Sequence, residues 1–382
     1  MLDVVGQPRA EAALRTPLEA GRFPHALVFH GPPGVGKCTA AIALAKVLLC
    51  HNRAEGSAEA CGDCESCRLL SAAEGDPAAD PAQRALSAGH PDLHVIVKEL
   101  ALYSHDAAAR KRKLLSIPVD VVREHLIEPA FRSDRLGHGK VFVLDEAELL
   151  NPAGQNALLK TLEEPPDRGA GCAIILVTAS PDKLLPTIRS RCRMVGFGPL
   201  ADPDLGRVID GWNRPDLSAD QRTLAVRFAC GSPGRAKLAL DYGLTEWASA
   251  ILAPIDAMTQ GRAGAHLGEA MHARVQGFAE AWVKAHAQAS KDAANRRGFE
   301  LMTSMIAEHA RRRLAEQAAD CPTGDEDPAV FERDARLAPW LALIDAVREA
   351  EGWGAAHVNL TMACEGLARS AFEALRPATA RA

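Results

Sequence analysis

The segment Ala26-Leu-Val-Phe-His-Gly31-Pro-Pro-Gly34-Val-Gly36-Lys37 constrains this chain more than any other. It reads as a short buried strand over residues 26–30, a glycine-rich turn, and a lysine at the head of a helix over roughly 38–49. Gly31, Gly34 and Gly36 let backbone N–H groups turn inward and cradle phosphate oxygens. The helix start adds unpaired N–H groups and a positive dipole end, and Lys37 reaches the outer phosphates. One position departs from the pattern. The residue after the lysine should carry a hydroxyl for Mg²⁺, and here it is Cys38, with Thr39 one place later. A thiol is a poor ligand for a hard cation, and Thr39 points elsewhere on the helix. The expectation is retained or weakened ATP/Mg²⁺ binding with impaired hydrolysis.

The rest of the first half fits a sheet around that loop. Strand-like runs fall at His94–Val97, Val141–Leu144 and Ala173–Thr178, and helical stretches at 118–131 and 152–164. Strands alternating with helices predict an α/β fold, a parallel sheet with helices on both faces. The run Val141-Phe-Val-Leu-Asp145-Glu146 ends a buried strand in two carboxylates. In a P-loop setting Asp145 would hold Mg²⁺ through water, and Glu146 would orient or deprotonate the attacking water. Residues 74–90 and 104–113 read as loops. The basic run Arg110-Lys-Arg-Lys113 has no interleaved aromatic for base stacking, so a solvated loop is the favoured reading.

The cysteines supply a second centre. Four of the ten form Cys50-x10-Cys61-x2-Cys64-x2-Cys67. Four thiolates in tight spacing with no open position predict a structural Zn²⁺ site. An iron–sulfur cluster and reduced free thiols are the competing readings.

Beyond about residue 200 strand signals cease and alanine-rich helical stretches take over. We expect an α/β domain over 1–200 with the zinc module at 50–67, a small helical lid domain over 201–245, and an all-α C-terminal domain over 246–382 with a loop near 319–329. The formal net charge of −5 excludes attachment to nucleic acid by bulk charge. No run reaches the about 20 apolar residues of a membrane helix, and no leader is evident. A cytoplasmic location and no membrane partner are therefore expected.

Taken together, the motifs resemble bacterial clamp-loader subunits of DNA polymerase III, members of the AAA+ ATPases. The resemblance rests on His25 to Lys37, the cysteine module, Asn156-Ala-Leu-Leu-Lys-Thr-Leu-Glu-Glu-Pro-Pro166, and Leu185-Pro-Thr-Ile-Arg-Ser190-Arg191-Cys192. Gly231-Ser-Pro-Gly-Arg-Ala236 extends it past residue 200. It implies that Arg191 is an arginine finger acting in trans on a neighbour's ATP. It also implies that Thr178 lies in the region sensing the γ-phosphate and that Arg235 is a candidate nucleotide contact. Implied partners are other subunits (gamma/tau and delta) in a five-subunit ring, the sliding clamp, and primer–template DNA through the complex. Cys38, His90-Pro-Asp-Leu-His94 and Gly234, which stands where a sensing arginine would fall in the gamma/tau motor, favour a branch other than that motor. An active motor and a nucleotide-free scaffold are the alternatives.

Overall fold

The structure is a computed structural model of the chain. It describes residues 4–72, 85, 89–105, 116–164, 171–262, 266–286, 290–319, 327–355 and 358–376. The chain divides into two compact units, residues 1–211 with 231–234, and residues 212–230 with 235–382.

The first unit is built on five parallel strands, β1 (Ala26–His30), β2 (Leu93–Ile96), β3 (Lys140–Leu144), β4 (Cys172–Thr178) and β5 (Arg193–Gly196), in the order β2-β3-β4-β1-β5. Apolar side chains point to both faces: Val28, Phe29, Phe142, Leu144, Ile174 and Leu176 are fully buried. That is why these strands read as unbroken apolar runs rather than alternating ones. The order matters for function. Ligands in open parallel sheets bind beyond the C-terminal strand ends, where the strand order reverses. The ends of β1, β3 and β4 are neighbours here, with Leu144 opposite Leu176 and His30 opposite Thr178.

Helix α1 (Pro8–Glu19) precedes β1, and α2 (Lys37–Leu48) follows it. α3 (Glu65–Ala72) carries the last cysteine of the cluster. α4 spans 119–130 and contains a π turn over Arg123–Ile127. Pro129 lies in its last turn and has no N–H to continue the ladder, which accounts for the irregular winding. α5 (Pro152–Glu163) is capped by Asn151, whose side chain accepts the Gly154 N–H at 2.7 Å. A cap followed by proline at the first helical position sets its start firmly. α6 (Pro186–Arg189) is a single turn, and α7 (Asp202–Asp210) closes the unit.

Edge strand β5 was not among the expected strands. In Arg193-Met194-Val195-Gly196 only Val195 is buried, so no apolar run marks it. It forms because β1 offers an unpaired edge, pairing Leu27 with Arg193 through His30 with Gly196. The expected strand at His94–Val97 lies one residue earlier, at Leu93–Ile96. Most of the expected loop at 74–90 and the basic run 110–113 lie outside the described residues.

Among its described residues the second unit is helical: α8 (Ala219–Ala229), α9 (Pro233–Asp241, whose first two residues belong to the first unit), α10 (245–258), α11 (Leu267–Ala285), α12 (Lys291–Ala319), α13 (Asp327–Ala355) and α14 (Leu360–Leu375). Its core is one apolar cluster that includes Ile251, Ile255, Met271, Met302, Leu343 and Leu367. A half-buried acid ties α10 to α12. Asp256 accepts from His309 Nε2 at 2.8 Å and pairs with Arg313 at 2.9 Å. Burial pushes the Asp256 carboxyl upward, but His309 and Arg313 outweigh this and hold it below the usual carboxylate range. Part of the expected loop at 319–329 falls outside the described residues, and Asp327 already begins α13.

Candidate nucleotide and metal sites

The phosphate loop occupies the turn between β1 and α2. Gly31 has φ +136°, and a Cβ there would stand 2.1 Å from the Phe197 carbonyl oxygen, so no other residue fits. Gly36, at φ +96°, caps α2 and turns the first N–H groups of the helix toward the loop. Lys37 is buried. Its Nζ donates to the carbonyls of Gly31 at 2.7 Å and Pro32 at 2.6 Å. Burial pushes the ammonium below its ordinary pKa, against the pull of Asp145 and Glu148.

The acidic strand end lies beside it. The Cys38 thiol donates to the Asp145 carboxylate, and Asp145 Oδ1 also accepts the Glu146 N–H at 2.9 Å. Burial pushes the Asp145 carboxyl above the usual range, and these hydrogen bonds only partly offset it. The position where the family pattern keeps a Mg²⁺ hydroxyl is thus a thiol engaged with the acid that would hold the ion. Thr39 is exposed and does not replace it.

Glu146 sits in the left-handed region at φ 50° and pairs with Lys98 at 2.8 Å. Lys98 was not among the expected site residues. It opens a 3₁₀ turn, Lys98–Tyr103, just past the end of β2. β2 and β3 run parallel with Ile96 opposite Leu144, which brings the two strand ends together. A lysine two places past a strand end was the only signal, and it needs the strand order to be interpreted. Glu148 was also missed. One of its oxygens accepts the Ala179 N–H at 3.2 Å, and the other is buried without a partner. Thr178 is buried at the end of β4, and its Oγ1 accepts the Ser180 N–H at 3.0 Å.

Residues 231–234 lie directly on the loop. Ser232 Oγ donates to the Pro33 carbonyl at 3.0 Å, and the Gly234 N–H donates to the Gly34 carbonyl at 2.9 Å. A Cβ on Gly234 would stand 2.9 Å from Gly34 Cα, so this approach leaves no room for a side chain. Arg235 belongs to the second unit, where it bonds Cys230 and faces Glu300. Arg191 is on the surface of the first unit, 37% exposed, with Nη2 2.6 Å from Glu163. Its Nη1 donates to the Thr187 carbonyl at 3.0 Å.

Cys50, Cys61, Cys64 and Cys67 converge, all four sulfurs lying within 4.8 Å of one another. Cys50–Cys64 and Cys61–Cys67 are 4.0 and 3.9 Å apart. A tetrahedron with metal–sulfur bonds of about 2.3 Å has edges of about 3.8 Å, so the quartet is of the size to hold Zn²⁺. Backbone N–H groups of Cys61, Cys64 and Cys67 donate to Cys50, Cys61 and Cys64 sulfurs at 3.2, 3.3 and 3.4 Å, which stabilises negative sulfur. Burial pushes the Cys67 thiol up to about 12. Burial also raises Cys64, but N–H groups of Cys67 and His51 outweigh it and hold that thiol near about 6.

His90-Pro-Asp-Leu-His94 wires this module to the sheet. His90 Nδ1 accepts the Asp92 N–H at 3.1 Å, which leaves Nε2 to donate to Ser66 Oγ at 2.8 Å. The Asp92 carboxylate accepts the N–H groups of Arg135 at 2.8 Å and Leu136 at 2.9 Å. His94 stacks on Phe142, and burial pushes it down to about 4. With Nδ1 spent as an acceptor, His90 is a buried strut between Ser66 on α3 and β2 rather than a base for the serine.

Fold and geometry define a parallel α/β protein with a P-loop-type glycine turn and a four-cysteine cluster. The chain belongs to the family described as DNA polymerase III, delta subunit, whose model matches residues 6–201. It is similar to DNA polymerase III subunit delta' of Escherichia coli (strain K12), 35% identical over 225 residues, 59% of this chain and 57% of that one. It is similar also to subunit delta' of Bacillus subtilis (strain 168), 31% identical over 194 residues, 51% of this chain and 48% of that one. Subunit gamma/tau of Mycobacterium tuberculosis (strain ATCC 25618 / H37Rv) is 39% identical over 196 residues, 51% of this chain and 28% of that one. The match therefore spans about half the length of these delta' relatives. Among solved structures, a gamma subunit-related protein of Thermotoga maritima aligns over 96% of this chain and 100% of that one, at 15% identity and a TM-score of 0.40.

Asp145 gives a pH test. Its folded pKa lies above the unfolded value of 3.8, so the unfolded chain ionises first as pH rises. Stability then falls as pH rises from 3.8 through the folded pKa. Asp145→Asn is expected to raise the urea midpoint at pH 7, with the gain vanishing as pH approaches 3. An equal gain at pH 3 and pH 7 would contradict the assignment.

Proposed function

We propose that this chain is a delta-prime-type subunit of a bacterial DNA polymerase III clamp loader of the AAA+ class. It offers Arg191 in trans to the ATP site of a neighbouring motor subunit and helps load the sliding clamp onto primed DNA. Residues 201–245 act as a lid, and residues 246–382 join the ring of gamma/tau and delta partners. Its own ATPase is weak or absent. The observation that carries this division of labour is the contact of the Cys38 thiol with Asp145. It supports a cradle without its magnesium hydroxyl, and Gly234 packed on Gly34 supports one without a sensing arginine. Zn²⁺ at Cys50, Cys61, Cys64 and Cys67 is structural, since four thiolates leave no coordination position open.

A second reading, an active gamma-type motor, draws on the 39% identity to gamma/tau and on the intact pair Asp145-Glu146. Turnover by the isolated chain that disappears in Lys37→Ala would favour it. A third, a nucleotide-free scaffold, draws on the Lys37 ammonium held by its own loop carbonyls.

In a loader reconstituted from this chain, gamma/tau and delta, Arg191→Ala should leave assembly intact. It should lower the DNA- and clamp-stimulated ATPase by about 10³-fold at the site that it serves. An unchanged rate would remove the finger. Metal analysis of the purified chain should give one zinc per molecule, and zinc removal should lower the melting temperature. A brown, iron-bearing protein would refute the zinc site.

A further inference from the structure

We propose that Glu163 is the positioning residue for the Arg191 guanidinium, a role that rests on reading Arg191 as a finger acting in trans. The motif Asn156 to Pro166 begins inside α5 and covers its last two turns, and the contacts of the helix show what it does. Its inner residues Leu158 and Leu162 are fully buried in one apolar cluster with Ile188 and Cys192. Gln155, also buried, donates to the Lys183 carbonyl at 3.1 Å and accepts the Leu185 N–H at 2.8 Å. One side chain of α5 thus pins the segment that leads into α6 and Arg191.

The far end of α5 is pinned as well, because His25 Nε2 donates to the Leu162 carbonyl at 2.9 Å. Eight residues along the helix from Gln155, about 12 Å, Glu163 meets Arg191 Nη2 at 2.6 Å. The second terminal nitrogen, Nη1, donates to the Thr187 carbonyl within the α6 turn. Two acceptors on two nitrogens fix the plane of a guanidinium, which has five N–H groups in all, leaving further donors for an anionic oxygen.

Two physical facts separate this contact from an ordinary structural ion pair. The side chains are 37% and 46% exposed, and pairs so exposed add little to stability. A carboxylate at the C-terminal end of a helix is also set against the helix dipole. The structure supplies a cation at that point, and the consequence is a guanidinium held by the same helix that anchors its backbone. A cationic group that must meet a phosphoryl oxygen gains rate from orientation, and small misplacements cost rate rather than binding.

The test uses the full chain in the loader reconstituted with motor and delta subunits, clamp and primed DNA, with ATPase measured against ATP concentration. Glu163→Gln should lower kcat by about tenfold while leaving KM for ATP nearly unchanged. Glu163→Asp should recover part of the loss. Glu163→Gln placed on Arg191→Ala should cause no further loss, because both act through one guanidinium. Losses that add in the double variant, a rise in kcat, or an unchanged kcat in Glu163→Gln beside an impaired Arg191→Ala would each overturn the positioning role and leave the finger standing. An unaffected Arg191→Ala would overturn the finger, and the positioning role with it.

Discussion

A buried ammonium must find acceptors, and the way Lys37 meets that need sets the state of the whole nucleotide site. Its partners are the first two carbonyls of its own loop. Most of its neighbours across the cleft are satisfied in the same manner, one Glu148 oxygen excepted. Asp145 takes the Cys38 thiol and the Glu146 N–H, Glu146 takes Lys98, and the Pro33 and Gly34 carbonyls take Ser232 and Gly234. A site that binds nucleotide well presents donors and a metal ligand to phosphate oxygens. This one has its glycine geometry intact and spends much of its donor capacity on itself. A nucleotide would have to exchange those contacts to enter, and a Mg²⁺ ion would meet a thiol where it needs an oxygen.

The same sheet serves Arg191. The segment after β4 carries it to the surface of the first unit, and α5 holds that segment through Gln155. The phosphate loop and Arg191 therefore share one scaffold, with the first turned inward on itself and the second left 37% exposed. In the proposed ring role, such a subunit would contribute to catalysis at an interface without turning over ATP itself. The four-cysteine module is joined to this scaffold at β2 through Ser66, His90 and Asp92, so order at the four cysteines and order at that sheet edge depend on each other.

Much of this was legible in the residues. The phosphate loop, the acidic end of β3 and the cysteine quartet are local patterns whose spacing carries their chemistry, and each lies where the sequence placed it. The buried strands announced themselves because a parallel sheet covered on both faces must be apolar throughout. What stayed hidden depends on distance along the chain. Lys98 meets Glu146 only because β2 lies beside β3, and Gly234 meets Gly34 across 200 positions. β5 has one inward side chain and exists by pairing with β1. Glu163 reads as one acid among many until α5 sets it beside Arg191.

Binding of a non-hydrolysable ATP analogue to the full chain, with and without Mg²⁺, tests most directly whether the site is closed to productive nucleotide. The account predicts weak binding that Mg²⁺ does not improve, and binding to Cys38→Thr that tightens when Mg²⁺ is added. Native-chain binding that Mg²⁺ strengthens as much as it does in Cys38→Thr would contradict it.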